Sequence, residues 1–306
     1  MNNSPIINVH GLTHTYGSGD KAYTAVTDAS FTVARGEVFG LLGTNGAGKT
    51  TTLEILEGLT APTSGEVTIL GADPLADRKT LRPYLGIMLQ SGGLPTELTT
   101  RQTLQMWAGT CAAPLSIDEV LADVDLSHRA DVKVGQMSGG EQRRLDLACA
   151  LVGDPRVLFL DEPTTGLDPE SRRNVWSLLE RLKSRGVTMM LTTHYLEEAE
   201  RLCDRVAIMH GGEIVVAGTT PEIVASASSE ITAVLPPNHP PLPDLTGAHT
   251  TLDGTHLTIS TDRIQHHTAE LLGWADDHNL ELGRFTASTA SLESVFLSIA
   301  DRTALQ

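Results

Sequence analysis

Gly43-Thr44-Asn45-Gly46-Ala47-Gly48-Lys49-Thr50 decides how the rest of the chain is read. A glycine, four residues and then Gly-Lys-Thr is the spacing of a phosphate-binding loop. The surroundings agree, because residues 38–42 form an apolar strand signal before it and residues 51–57 a helical run after it. Glycines let the backbone curl so that its N–H groups face a phosphate, and the helix N-terminus adds partial positive charge. Lys49 can neutralise β- and γ-phosphates, the Thr50 hydroxyl can ligate Mg²⁺, and Thr51 continues the first helical turn. A glycine-rich turn could match the spacing by chance, but it would not bring the strand and helix with it.

Such a loop needs an acidic residue on a neighbouring strand to hold the metal. Residues 157–160 are four apolar residues, and Asp161-Glu162 follow them directly. Asp161 is placed to hold Mg²⁺ through water, and Glu162, where the strand ends, to take a proton from an attacking water. The bland alternative is a solvated turn before Pro163.

Working outward, residues 6–71 read as short β segments, clearest at 30–33, 38–42 and 67–70, with Gly36 and Gly65 as turn signals. From about residue 98 to 152 the strand signals vanish and apolar residues recur at helical spacing, as at Leu104, Trp107 and Ala108. Strands return at 157–160 and 187–191, apolar enough for parallel strands covered on both faces. Between them residues 171–185 predict a helix with Val175, Leu178, Leu179 and Leu182 on one stripe, closed by Gly186. Residues 206–209 and 214–216 flank Gly211-Gly212 as a hairpin. A boundary is expected near residues 220–229. Beyond that boundary, strands at 231–235, 256–260 and 281–286 and helices at 263–275 and 292–300, around a proline-rich stretch at 236–243, predict a small α/β module.

Between the phosphate loop and the Asp161-Glu162 pair stands Met137-Ser138-Gly139-Gly140-Glu141-Gln142. It opens a helical run at 141–151, so its N–H groups and the Ser138 hydroxyl make a further anion site. Here the sequence resembles the ABC ATPase family, whose signature reads LSGGQ, and the likeness spans roughly residues 5–220. It implies an α/β fold: a P-loop NTPase (RecA-like) core, an antiparallel β subdomain and a helical subdomain at about 91–154. A C-terminal accessory or regulatory module at 221–306 completes the chain.

The resemblance also implies roles. Tyr16 matches the aromatic that stacks on adenine, although a strand-edge tyrosine would look the same. Gln90 matches the glutamine that touches Mg²⁺ and the attacking water and links core to helical subdomain; alone it reads as a loop glutamine. Asp168, in Gly166-Leu167-Asp168-Pro169, matches the loop that crosses a dimer interface, and equally fits the N-cap of the helix beginning at Pro169. His194 matches the switch histidine at the γ-phosphate. In the family Ser138, Gly139 and Gly140 of one copy face the ATP held by the other.

The implied protein is an ATP- and Mg²⁺-dependent homodimer driving a separately encoded transmembrane permease from the cytoplasmic face of the membrane. The residues around 193–200 and 291–297 resemble the drug-resistance exporter branch of daunorubicin/doxorubicin type. Two departures stand out: Met137 and Glu141 replace the family's Leu and Gln, and Glu141 adds a carboxylate that weakens the sandwich if it points inward. Thr44 stands where many relatives have Pro.

A net charge of −16, from 38 acidic and 22 basic residues, argues against nucleic acid as a partner. That counts against the alternative, a non-transport ABC ATPase of nucleic-acid repair or translation, as does the lack of a coiled coil or second ATPase unit. Cys111, Cys149 and Cys203 are far apart, with no CxxC pair, which fits a reducing compartment. The N-terminus lacks the pattern of a secretory signal, and no run nears the roughly 18 apolar residues of a membrane span. His266 and His267, adjacent on a helix, are expected to diverge by about 100°. Trp107 and Trp274 are expected in core or interface packing.

Overall fold

A computed structural model describes residues 5–90 and 93–301. Residues 1–4, and Ser91 and Gly92 where the helical subdomain is expected to start, lie outside them. The chain divides into two compact units, residues 1–219 and 220–306.

The first unit opens with two long strands, β1 (Ile7–Tyr16) and β2 (Tyr23–Val33). Next come β3 (Val38–Gly43), helix α1 (Lys49–Leu56) and β4 (Ser64–Ile69). A short α2 (Arg78–Leu81) precedes β5 (Leu85–Met88). The helical stretch holds α3 (Thr100–Ala108), α4 (Ile117–Asp123) and α5 (Gly139–Leu151). Then β6 (Val157–Asp161), α6 (Pro169–Ser184), β7 (Thr188–Thr193) and α7 (Leu196–Leu202) follow, and β8 (Arg205–His210) and β9 (Glu213–Gly218) close the unit.

Six strands form one sheet in the order β5-β6-β7-β3-β8-β9. The first five run parallel, and β9 joins as an antiparallel hairpin. Its turn is Gly211-Gly212, both at positive φ (56° and 88°), as a two-residue turn matching strand twist requires. Every residue of β3, β6 and β7 is buried. On β6, Val157 and Phe159 pack with Phe39, Met190 and β1 residues, while Leu158 and Leu160 pack with Leu145, Leu151 and Trp176. Alternate side chains thus feed two separate cores, which explains the unbroken apolar runs. A three-stranded antiparallel sheet, β2-β1-β4, covers the first face. Phe31 and Phe39 stack there with ring centroids 5.2 Å apart.

The second unit holds α8 (Thr220–Ala225), β10 (Ser229–Val234), β11 (His249–Asp253), β12 (His256–Thr261), α9 (Ile264–Asp277), β13 (Gly283–Ser288) and α10 (Leu292–Asp301). Its antiparallel sheet runs β11-β12-β10-β13, and Leu271 of α9 packs onto Ile231, Leu257 and Ile259. Strand β11 carries no apolar alternation, because all its residues are exposed. The sequence reading missed it for that reason. The expected divergence of His266 and His267 also needs correcting. Their rings lean together, with centroids 5.4 Å apart, and one ligand atom from each and one from Glu270 lie within 4.8 Å of one another. Each ring has a protein partner: His267 Nδ1 meets Thr261 Oγ1, and His266 Nε2 lies 3.2 Å from Glu270.

Candidate functional site

Four of the parallel strands end at one place, and the sequence-predicted residues lie at those ends. The phosphate loop follows β3, Asp161 ends β6, His194 follows β7 and Gln90 lies two residues past β5. Ligands of open α/β sheets gather at the carboxyl ends of the strands because connecting loops and helix N-termini converge there.

In the loop, Gly48 has φ of 101°, and a Cβ there would come within 2.4 Å of the Ala25 carbonyl oxygen. Only glycine fits, and the turn throws the first N–H groups of α1, which have no helical acceptor, outward. Lys49 is buried. Its Nζ donates to the carbonyls of Gly43 at 2.7 Å and Thr44 at 3.2 Å. Burial lowers its pKa, and the nearby carboxylates of Glu162 and Asp161 oppose that shift. The Thr50 hydroxyl donates to Asp161 Oδ2 at 3.3 Å, and Thr192 donates to the other oxygen. A cavity of about 330 Å³ opens here, lined by Asn45 through Thr51 together with Tyr16, Tyr23, Gln90 and Glu162. The Tyr16 hydroxyl lies 3.2 Å from Thr51 Oγ1 and donates to Glu54 at 3.3 Å.

Glu162 is the focus of the polar groups. Gln90 Nε2 and the Thr165 hydroxyl donate to its Oε2 at 3.2 and 3.1 Å. His194 Nδ1 stands 3.3 Å from its Oε1. Its backbone is left-handed, φ 46°, a conformation that costs a non-glycine residue on the order of 1–3 kcal/mol. The Glu162 N–H is held by the Thr192 carbonyl and hydroxyl. The turn that bears the carboxylate is therefore fixed by β7, the strand leading to His194.

Ser138, Gly139 and Gly140 lie elsewhere, and none of them lines that cavity. Ser138 caps α5. Its Oγ accepts from Glu141 N–H at 3.3 Å while Glu141 Oε2 accepts from Ser138 N–H at 2.8 Å, a reciprocal capping box. Gly139 has open space at its Cβ position, whereas a Cβ on Gly140 would meet Ser171 Oγ at 2.4 Å. The first glycine leaves room for a ligand; the second lets α5 approach α6. Glu141 stands in the first turn of that helix end, where its carboxylate accepts the Ser138 N–H. Arg129 donates to Glu141 through Nε at 2.6 Å and Nη2 at 3.1 Å and holds the carboxylate back against its own helix. That pairing depresses the Glu141 pKa to about 2. Asp168 accepts from the N–H groups of Glu170 and Ser171, both at 3.0 Å, so the N-cap reading of its sequence holds.

The sequence reading passed over two buried groups. Arg143, on α5, donates to the carbonyls of Leu89, Gln90, Asp161, Glu162 and Pro163 at 2.8–3.1 Å. One guanidinium from the signature helix thus staples the Gln90 loop to the Glu162 turn. Glu198, fully buried on α7, accepts from Thr164 at 2.8 Å and Trp176 Nε1 at 2.9 Å. Helical position gave the only available signal: Arg143 falls among α5's apolar inward residues. Trp107, expected in packing, is 43% exposed. It lines a second, larger cavity of about 1140 Å³.

Known proteins resemble this chain in sequence and in fold. A family profile described as ABC transporter matches residues 26–165, and one for the C-terminal domain of ABC transporter domain-containing protein-like chains matches residues 229–291. Nod factor export ATP-binding protein I of Burkholderia lata is 38% identical, covering 93% of this chain and 94% of that one. Doxorubicin resistance ATP-binding protein DrrA of Mycobacterium tuberculosis is 37% identical over 97% and 94%. Among solved structures, the ATP-binding cassette MJ0796, a dimer in a post-hydrolysis state with ADP and Pi, superposes at a TM-score of 0.64. It is 26% identical over 70% of this chain and 98% of that one. With the phosphate loop and the Asp161-Glu162 pair at strand ends of one sheet and a Ser-Gly-Gly cap opening α5, the chain belongs to the ABC transporter family as an ATP-hydrolysing ATP-binding subunit.

Proposed function

We propose that two copies of this chain enclose two ATP molecules and so drive a separate membrane permease that exports drugs or other hydrophobic compounds. One observation carries the reading: the chain has two helix-end anion sites, and the Ser138 site shares no cavity with the Lys49 site. A helix end with Ser138 and Gly139 exposed makes sense when a partner's phosphate completes it. In each sandwich the P-loop residues Gly43 to Thr51 and Tyr16 hold the nucleotide, the opposite Ser138, Gly139 and Gly140 receive its γ-phosphate, and Asp168 lies at the crossing.

The Thr50 hydroxyl and Asp161 carboxylate, 3.3 Å apart, are hard oxygen donors of the kind magnesium selects, with Gln90 nearby. Magnesium bound there supplies positive charge to the β- and γ-phosphates. Glu162 takes the proton of the attacking water, Gln90 and Thr165 fix its orientation, and His194 senses the γ-phosphate beside it. Loss of the γ-phosphate removes the contacts joining the copies and reopens them.

Export is supported by the named activities of the relatives, Nod factor export and doxorubicin resistance. No helix among the described residues is long and apolar enough to cross a membrane, so a permease would have to supply the span and hold this chain peripherally on its cytoplasmic face. The larger cavity suits its docking: exposed Tyr84, Leu89 and Trp107 offer apolar contact, and Arg35, Lys79 and Arg82 line the same cavity. The second unit would regulate activity or brace the dimer. The test is Glu162→Gln, which should cut turnover by roughly 10²–10⁴-fold and trap an ATP-held dimer on size-exclusion chromatography. A variant with near-native turnover, or one that stays monomeric with ATP, refutes the reading; a membrane protein co-purifying with the chain identifies the permease.

A further inference from the structure

A carboxylate at the mouth of an anion site is a problem that this chain has to solve. A helix N-terminus is worth roughly +0.5 elementary charge, and an ionised glutamate in the first turn outweighs it. Glu141 occupies that turn of α5. It also takes up the Ser138 N–H, one of the donors a phosphate would use. What remains is the Ser138 hydroxyl, whose oxygen already accepts from Glu141 N–H and whose proton is therefore free to donate, together with the N–H groups of Gly139 and Gly140.

We propose that Arg129 is a positioning residue for the Ser138 site: its guanidinium cancels the Glu141 charge and locks that carboxylate into the capping box, so the helix end stays attractive to a terminal phosphate. The geometry is bidentate, Nε on one carboxylate oxygen and Nη2 on the other, the arrangement that gives planar, oriented pairing. Arg129 lies on a 3₁₀ turn, Ser127–Arg129, just ahead of the signature. Its side chain is 34% exposed, against 13% for Glu141, so the pair sits at the surface with the carboxylate turned inward. With Arg129 the local sum is the helix end alone. Without it the same turn presents net negative charge to a ligand that is itself an anion.

The inference rests on the sandwich reading, and the experiment separates the two. In the Glu162→Gln background, ATP-dependent dimerisation is measured by analytical ultracentrifugation for the parent, for Arg129→Gln, and for Arg129→Gln combined with Glu141→Gln. Arg129→Gln should weaken the ATP-held dimer about 10-fold or more through like-charge opposition, and less so at high salt. Removing the Glu141 charge as well should restore it to within about 3-fold of the parent. Binding of a fluorescent ATP analogue to the monomer should be equal in all three, which certifies folding. A parent that never dimerises with ATP sinks the sandwich and this inference with it. A dimerising parent with unaffected Arg129→Gln, or a double variant as weak as the single one, overturns the role of Arg129 alone; if Arg129→Gln fails to fold, Arg129→Lys, which keeps the charge but loses the fork, must dimerise more weakly than the parent and recover when combined with Glu141→Gln, and a Lys variant equal to the parent overturns the role as well.

Discussion

The two helix ends of this molecule are built from the same backbone physics and differ in what surrounds them. At α1 the loop is walled in: Lys49 is buried and anchored by two carbonyls, Asp161 and Glu162 stand opposite, and a cavity is already formed. At α5 Ser138 and Gly139 are exposed while Gly140 is buried, and the Glu141 carboxylate in the first turn is tied to Arg129. In the proposed function the first end holds the triphosphate within one copy and the second adds to one presented by its partner.

Substitutions at the two ends should break the comparison in different ways. Lys49→Ala should weaken binding of a fluorescent ATP analogue to the monomer by about 10²-fold or more, since Lys49 is the only cation among the described residues that line the cavity. Ser138→Ala should leave that monomer binding unchanged while lowering steady-state ATPase by about 10²–10³-fold, the loss expected for one donor aimed at developing charge. Equal effects of both on monomer binding would show that the ends are not divided as described.

The paired glycines sharpen the point. Gly140→Ala forces a Cβ against Ser171, and overpacking of this kind costs about 1–3 kcal/mol, a fall in melting temperature of roughly 2–10 °C. Gly139→Ala meets open space and should leave thermal stability within about 1 °C, while narrowing the approach to the Ser138 site and lowering ATPase. Differential scanning fluorimetry beside an ATPase assay separates the two.

A pH-dependent effect concerns Glu57, buried at the end of α1. Burial, reinforced by Asp161, pushes its pKa up to about 8. The folded state therefore holds a proton that the unfolded chain releases in the ordinary carboxylate range, so stability declines as pH rises from there towards 8. Glu57→Gln should remove that decline, raising the melting temperature on the order of 5 °C at pH 8 and little at pH 5. Parallel curves for the two proteins would place the carboxyl in a wetter setting.

Much of this was legible because it is local. The run 38–42, the loop after it and the pair Asp161-Glu162 carry their meaning in contiguous residues, since a strand feeding a glycine turn and a helix requires nothing from afar. The capping serine and Asp168 were legible for the same reason. Strand β11 was not, because a fully exposed strand has no hydrophobic period to read. Strand β1, with Gly11 at φ 58° and register shifts along its pairing with β2, blurred into short segments.

By itself the sequence determined the chemistry: which residues can meet phosphate, carry a proton or start a helix, since these properties travel with side chains and their spacing. Only the tertiary structure decided where that chemistry points. It turned Glu141 onto Arg129, sent Arg143 to five carbonyls drawn from two distant loops, and gathered Gln90, Thr165 and His194 around Glu162. Those pairings join residues from 3 to more than 50 positions apart in the chain, and such a distance closes only when parallel strands bring their carboxyl ends side by side.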